Sequence, residues 1–97
     1  MAQFDVYRFE GTLVLDCQSD LLAYLNTRVV VPLLEHSTEL NPAARLNPAF
    51  EIQGRSYIMA TQFVATVSAS NLSEPVTSLA DHHINIIGAM DVLLTGV

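Results

Sequence analysis

Apolar and polar positions recur with two different periods along this chain, and the change of period divides it into a strand-rich part and a helix. Gln3 to Phe9 reads as a strand, with Phe4 and Val6 on one side and Tyr7 and Phe9 on the other, so both faces are expected to be covered. Glu10-Gly11 fits a two-residue hairpin turn. The return strand, Thr12 to Cys17, alternates, with Leu13, Leu15 and Cys17 expected inward and Thr12, Val14 and Asp16 outward. Gln18-Ser19-Asp20 is turn chemistry, and the apolar pair Leu21-Leu22 after it breaks the alternation, which suggests an exposed contact. Arg28 to Leu34 is the most β-rich run, and Pro32 inside it predicts an edge strand or a bulge. Glu35 to Ala49 reads as a surface loop with a helical turn around Ala43 to Leu46. Phe50 to Ile52 and Ser56 to Ala60 form a second hairpin about Gln53-Gly54, Phe63 to Val67 is a further strand, and Ser68 to Pro75 is a polar turn region.

From Ser78 to Val97 the period becomes helical. Leu79, His83, Ile86, Ile87, Met90, Leu93, Leu94 and Val97 fall on one face, the pattern of a helix lying on a core. A second stripe, Ala80, Ile84, Gly88, Asp91 and Thr95, carries a glycine where a solvated helix would carry Lys, Glu or Arg. Gly88 costs roughly 1 kcal/mol against Ala in a helix interior, so it predicts close approach by another backbone or a partner. Ser78 with Asp81 resembles a capping box, and Gly96 is the expected stop. The expected fold is mainly β: a small antiparallel barrel or curved sheet with the C-terminal helix packed on it, residues 1–97 forming one domain.

Composition adds an expectation of self-association. With 51% hydrophobic and 14% charged residues in 97, the chain has more apolar content than so small a core easily hides, which predicts a homodimer. Four arginines (Arg8, Arg28, Arg45 and Arg55), no lysine and a formal charge of −6 argue against direct nucleic-acid binding. There is no apolar run of membrane-spanning length and no secretory signal before the first strand, so a cytoplasmic protein that does not engage membranes is expected.

Catalytic chemistry is thin. Adjacent helix positions diverge by 100°, so Asp81-His82-His83 makes a poor metal site, and His83 is expected half-buried or at an interface. Cys17 sits inward with no nearby histidine, a buried small side chain rather than a nucleophile, and Asp16 and Asp20 read as a solvated turn rather than an acid/base pair. No catalytic residue, cofactor or metal is expected.

Several stretches together carry a resemblance: QFDVYRF from Gln3, LVLDCQSDLL from Leu13, RVVVPLL from Arg28, FEIQGRSYIMATQ from Phe50, and the closing helix with TGV at Thr95. They make the chain resemble the CcdB family of toxins of type II toxin–antitoxin systems, which poison DNA gyrase. The resemblance implies a homodimeric, SH3-like barrel of the CcdB/Kid kind with paired C-terminal helices. It implies a toxin that binds the gyrase A subunit and holds the gyrase–DNA complex in its cleaved state, and that is neutralised by a CcdA-like antitoxin. Carried over by position, the gyrase surface is Leu22, Ile84, Gly88, Asp91, Thr95, Gly96 and Val97, and the antitoxin contacts are Arg8, Glu10 and Arg45. The best-known family ending is Trp-Gly-Ile, whereas this chain has Thr95-Gly96-Val97, and its first hairpin loop is shortened to Glu10-Gly11. Two alternatives remain: an RNA-cleaving toxin of the related Kid/MazF barrel, for which His82, His83 or Arg28 would be the residues to change, and a relative that binds only antitoxin.

Overall fold

The structure is a computed structural model and describes residues 1–37 and 41–96. Its strands are β1 (Asp5–Phe9), β2 (Thr12–Asp16), β3 (Thr27–Glu35), β4 (Ala49–Ile52), β5 (Arg55–Met59), β6 (Ala65–Ser68) and β7 (Thr77–Ser78), followed by the helix α1 (His83–Thr95). All pairings are antiparallel, in the order β4-β5-β3-β2-β1-β7 with β6 also on β3, and the result is a nearly closed, barrel-like sheet with a C-terminal helix. Both hairpins turn as expected. Glu10 and Gly11 both have positive φ (50° and 80°), as do Gln53 and Gly54 (52° and 81°), the geometry that matches the twist of the flanking strands.

β3 organises the barrel, and of the two expectations for Pro32, an edge strand or a bulge, the edge strand is overturned because β3 is paired on both sides. One side of β3 pairs with β2. The other side is shared: Thr27 to Val30 pair with β6, and Leu33 to Glu35 with β5. Pro32 falls in the gap between these two partners, where its missing N–H is not needed. Its carbonyl accepts from the Ala60 N–H at 2.9 Å.

Sheet and helix enclose a core of Val6, Leu13, Leu15, Val31, Leu33, Phe50, Ile52, Met59, Leu79, Ile86 and Ala89. The opposite face of the sheet is covered as well. Tyr7, Val14, Val30 and Leu72 pack there, against Phe9 and Val67. Val14 and Asp16, expected outward, are therefore buried, because alternation reports which side a residue faces and not whether that side is covered.

Elements begin later than periodicity suggested in two places. Thr61–Phe63 is a 3-10 turn, so the strand expected from Phe63 starts at Ala65. Likewise Ser78 ends the short strand β7, which pairs with β1, and Ala80–His82 is a 3-10 turn before α1 begins at His83. The expected capping box of Ser78 and Asp81 does not form: the cap position of that turn is Leu79, and Ser78 Oγ accepts instead from the Ala80 N–H at 3.2 Å. The helical turn around Ala43 to Leu46 is present, closed by the Asn47 N–H on the Ala43 carbonyl at 2.8 Å. Thr38, Glu39 and Leu40 of the expected loop, and Val97, lie outside the described residues.

Candidate functional site: a free helix face and an exposed apolar turn

α1 buries Ile86 and Ala89 completely, with Met90 partly buried against the same core. This face is turned toward Ala89 relative to the expected one. Ile87 and Leu94, expected in the core, are exposed, and so is His83, expected half-buried or at an interface. The helix is apolar around much of its circumference, so its periodicity could not single out the buried side. The correction enlarges the free surface. Ile84 (75% exposed) and Leu94 (71%) now share it with Ile87, Asp91 and Thr95, and Gly88 is half-buried among them.

A Cβ built on Gly88 would meet nothing within 4 Å, so none of the described residues makes the close approach that the glycine predicted. At the helix end, Thr95 turns its hydroxyl back onto the Asp91 carbonyl at 2.7 Å. Gly96 adopts φ +78° and donates its N–H to the Val92 carbonyl, a left-handed cap that an L side chain would strain. It is the stop that was expected.

The second exposed apolar surface lies on the turn after β2. Leu21 is 87% and Tyr24 80% exposed, with Leu22 and Leu25 less so. Asp20–Leu22 form a 3-10 turn capped by Ser19, whose Oγ accepts from the Leu21 N–H. Asp20 accepts from the Gln3 N–H at 2.8 Å. Beneath the turn, Gln18 accepts from the Val29 N–H through Oε1 and donates through Nε2 to the Leu22 carbonyl at 2.9 Å.

Gln18 rests on a buried ion pair that sequence reasoning missed. Arg28 and Asp16 are 1% and 0% exposed, with Arg28 Nε donating to Asp16 Oδ2 at 2.9 Å and Nη2 2.6 Å from the same oxygen. Asp16 Oδ1 accepts from the Gln18 N–H, while Arg28 Nη1 has no acceptor among the described residues. Burial pushes the Asp16 carboxyl above the usual carboxylate range, and the Arg28 guanidinium opposes that shift. Asp16 is thus no member of a solvated pair with Asp20.

The three weaker site residues separate. Arg45 is exposed on the 43–47 turn and lines a cavity of about 390 Å³ with Pro48, Ile84, Asn85 and Gly88. Arg8 lines a different depression, with Glu35 and Tyr57, and Glu10 occupies the first hairpin turn beside Phe9 and Phe63. One candidate antitoxin contact therefore abuts the helix stripe, and two lie elsewhere. Leu22 belongs to its own turn, apart in sequence and in secondary structure from α1.

A protein-family model described as CcdB protein matches residues 3–96, from ahead of β1 to the cap of α1. The chain belongs to the CcdB family. Membership supports a toxin of a toxin–antitoxin system. As a CcdB-family chain it exposes large apolar side chains on α1 and on the turn after β2, with Phe63 a further one between β5 and β6.

Groups that could serve other chemistry are poorly placed. No set of three or more His, Cys, Asp or Glu among the described residues could hold a metal ion. His82 stacks at a tilt on Phe50, centroids 5.1 Å apart, and the exposed His83 contacts the Ala80 carbonyl through Nδ1. Burial pushes the Cys17 thiol up to about 12. Arg28, a candidate for RNA chemistry, is enclosed and committed to Asp16. No helix among the described residues is long and apolar enough to cross a membrane.

Proposed function

We propose that this chain is a gyrase-poisoning toxin: a cytoplasmic homodimer that binds the gyrase A subunit through the free face of α1 and the turn bearing Leu22. The contacts assigned to gyrase are Leu22, Ile84, Gly88, Asp91, Thr95, Gly96 and Val97. The single observation that carries the reading is the exposed apolar face of α1 in a CcdB-family chain. Ile84, Ile87 and Leu94 are solvated in the isolated chain, and a surface of that kind marks an interaction site. Binding energy does the work. By favouring the gyrase conformation in which DNA is cleaved, the toxin shifts the population toward it without chemistry of its own. A CcdA-like antitoxin reverses this, with Arg8, Glu10 and Arg45 as proposed contacts. The glycine at position 88, which none of the described residues approaches closely, supports a backbone approaching from outside.

The test is a supercoiled-plasmid assay with gyrase and ATP, scored for linear DNA after detergent and protease, with a deletion of Gly96 and Val97 in parallel. Linear DNA that accumulates with the intact chain and disappears with the deletion is expected. Its absence, from protein that is folded and dimeric, refutes poisoning of that gyrase. Antitoxin binding without linear DNA would instead identify a relative in which Thr95 no longer supplies the aromatic anchor.

A further inference from the structure

An apolar turn such as Ala23 to Leu25 has little reason to hold one shape. Its side chains are exposed, so no core packing restrains them, and side-chain order there must come from hydrogen bonds. Ser19 and Asp20 hold the start of the turn, and a further set of bonds meets at one residue. Gln18 is nearly fully buried and makes three contacts: its own N–H to Asp16 Oδ1, Oε1 from the Val29 N–H, and Nε2 to the Leu22 carbonyl. The last ties the Leu22 carbonyl to a residue that is itself bonded to β3. Asp16 in turn is fixed by Arg28, which comes from β3. The chain of contacts runs from the centre of the sheet to the backbone of a residue assigned to a partner surface.

We propose that Gln18, seated on the Asp16–Arg28 pair, is a positioning residue that holds the Leu21-Leu22 turn in its binding shape. This rests on the reading that Leu22 meets gyrase. Gln18 itself is buried and touches no partner. It acts by fixing the carbonyl of Leu22, which also receives the Leu25 N–H at 3.1 Å, so that loosening it frees Leu22 to Leu25 together. A preorganised turn binds without first being ordered, which is where the affinity is gained.

Two variants separate positioning from folding. Gln18→Glu retains an acceptor for the Val29 N–H and loses the donor to Leu22, and Gln18→Leu loses both. In Gln18→Glu, amide exchange at Leu22, Ala23 and Leu25 is expected to accelerate about tenfold while β3 amides stay protected. Unchanged exchange at those three amides overturns the proposal whatever the partner. Affinity for the gyrase A dimer is then measured for Gln18→Leu alone and in a Leu22→Ala background. A loss of about tenfold alone, shrinking to less than twofold with Leu22→Ala, is expected of a residue acting through Leu22. The same loss in both backgrounds overturns the proposal, because it describes a general weakening of the fold. If Leu22→Ala alone leaves affinity intact, the assignment of Leu22 to the gyrase surface fails, and the exchange result decides the positioning role independently.

Discussion

Replacing Arg28 by methionine isolates the buried ion pair. The substitution keeps a similar volume and removes the guanidinium facing Asp16, leaving a carboxylate with no exposure and, among the described residues, one side-chain hydrogen bond, from the Gln18 N–H. Removing one member of a buried pair costs about 3–5 kcal/mol, a large share of the roughly 5–15 kcal/mol available to a domain of this size. The pair itself is worth far less than that. Arg28 Nη1 is unsatisfied and only Nε makes a well-aligned bond, so changing both residues, Arg28→Met with Asp16→Leu, is expected to recover most of the loss. The single variant also acquires a pH dependence. Burial already raises the Asp16 pKa in the folded state, and losing the guanidinium raises it further. A carboxyl whose folded pKa exceeds its unfolded value adds stability that is complete below the unfolded value and lost as pH rises through the folded one. Arg28→Met should therefore be least destabilised near pH 4 and most destabilised near neutrality. Urea unfolding at several pH values reads this as a shift in midpoint at constant slope. A single-variant cost below about 1 kcal/mol, or a double variant worse than the sum of the singles, would refute the argument.

Other expectations follow from the same contacts. Cys17 should resist alkylation at pH 8 in the folded protein, since burial moves its pKa from 9.0 to about 12. As pH rises from 9.0 toward 12 the unfolded thiol ionises first, and the protein should lose up to about 1.4 kcal/mol per pH unit through this group, a slope that Cys17→Ala removes. Gly88→Ala should raise the thermal midpoint, gaining about 1 kcal/mol of helix propensity with no clash inside the chain, while weakening gyrase binding if a backbone approaches there. Ile84→Asp should change chain stability by less than about 0.5 kcal/mol, because its side chain is solvated, yet abolish linear DNA in the gyrase assay. Retained cleavage with Ile84→Asp would remove the stripe from the proposed surface.

Much of the fold was legible in the chain because its signals are local. Both hairpins follow from a residue pair that can adopt positive φ between alternating runs, and Gly96 ends the helix through its own backbone freedom. The stripe of Ile84, Gly88, Asp91 and Thr95 was also legible, since helical geometry alone sets which residues share a side, whereas Ala80, expected in it, falls in the 3-10 turn before α1. The candidate site was only partly so. Nothing in the spacing said that Ile87 and Leu94 are exposed, that Arg45 reaches the cavity beside Ile84, or that Asp16 and Arg28 meet across β2 and β3.

The reason is that pattern determines sides and tertiary packing determines what covers them. Sequence by itself established the mainly-β barrel with its closing helix, the turns, the scarcity of cations and the family likeness. Only the tertiary structure decided that Pro32 sits at the centre of the sheet, in the gap where β5 and β6 divide one edge of β3. It also decided that the second face of the sheet is covered, with Tyr7, Val14, Val30 and Leu72 packed together there and Asp16 and Arg28 buried. A charge pair buried in that way joins residues twelve apart, and no local rule connects them until the strands are laid side by side.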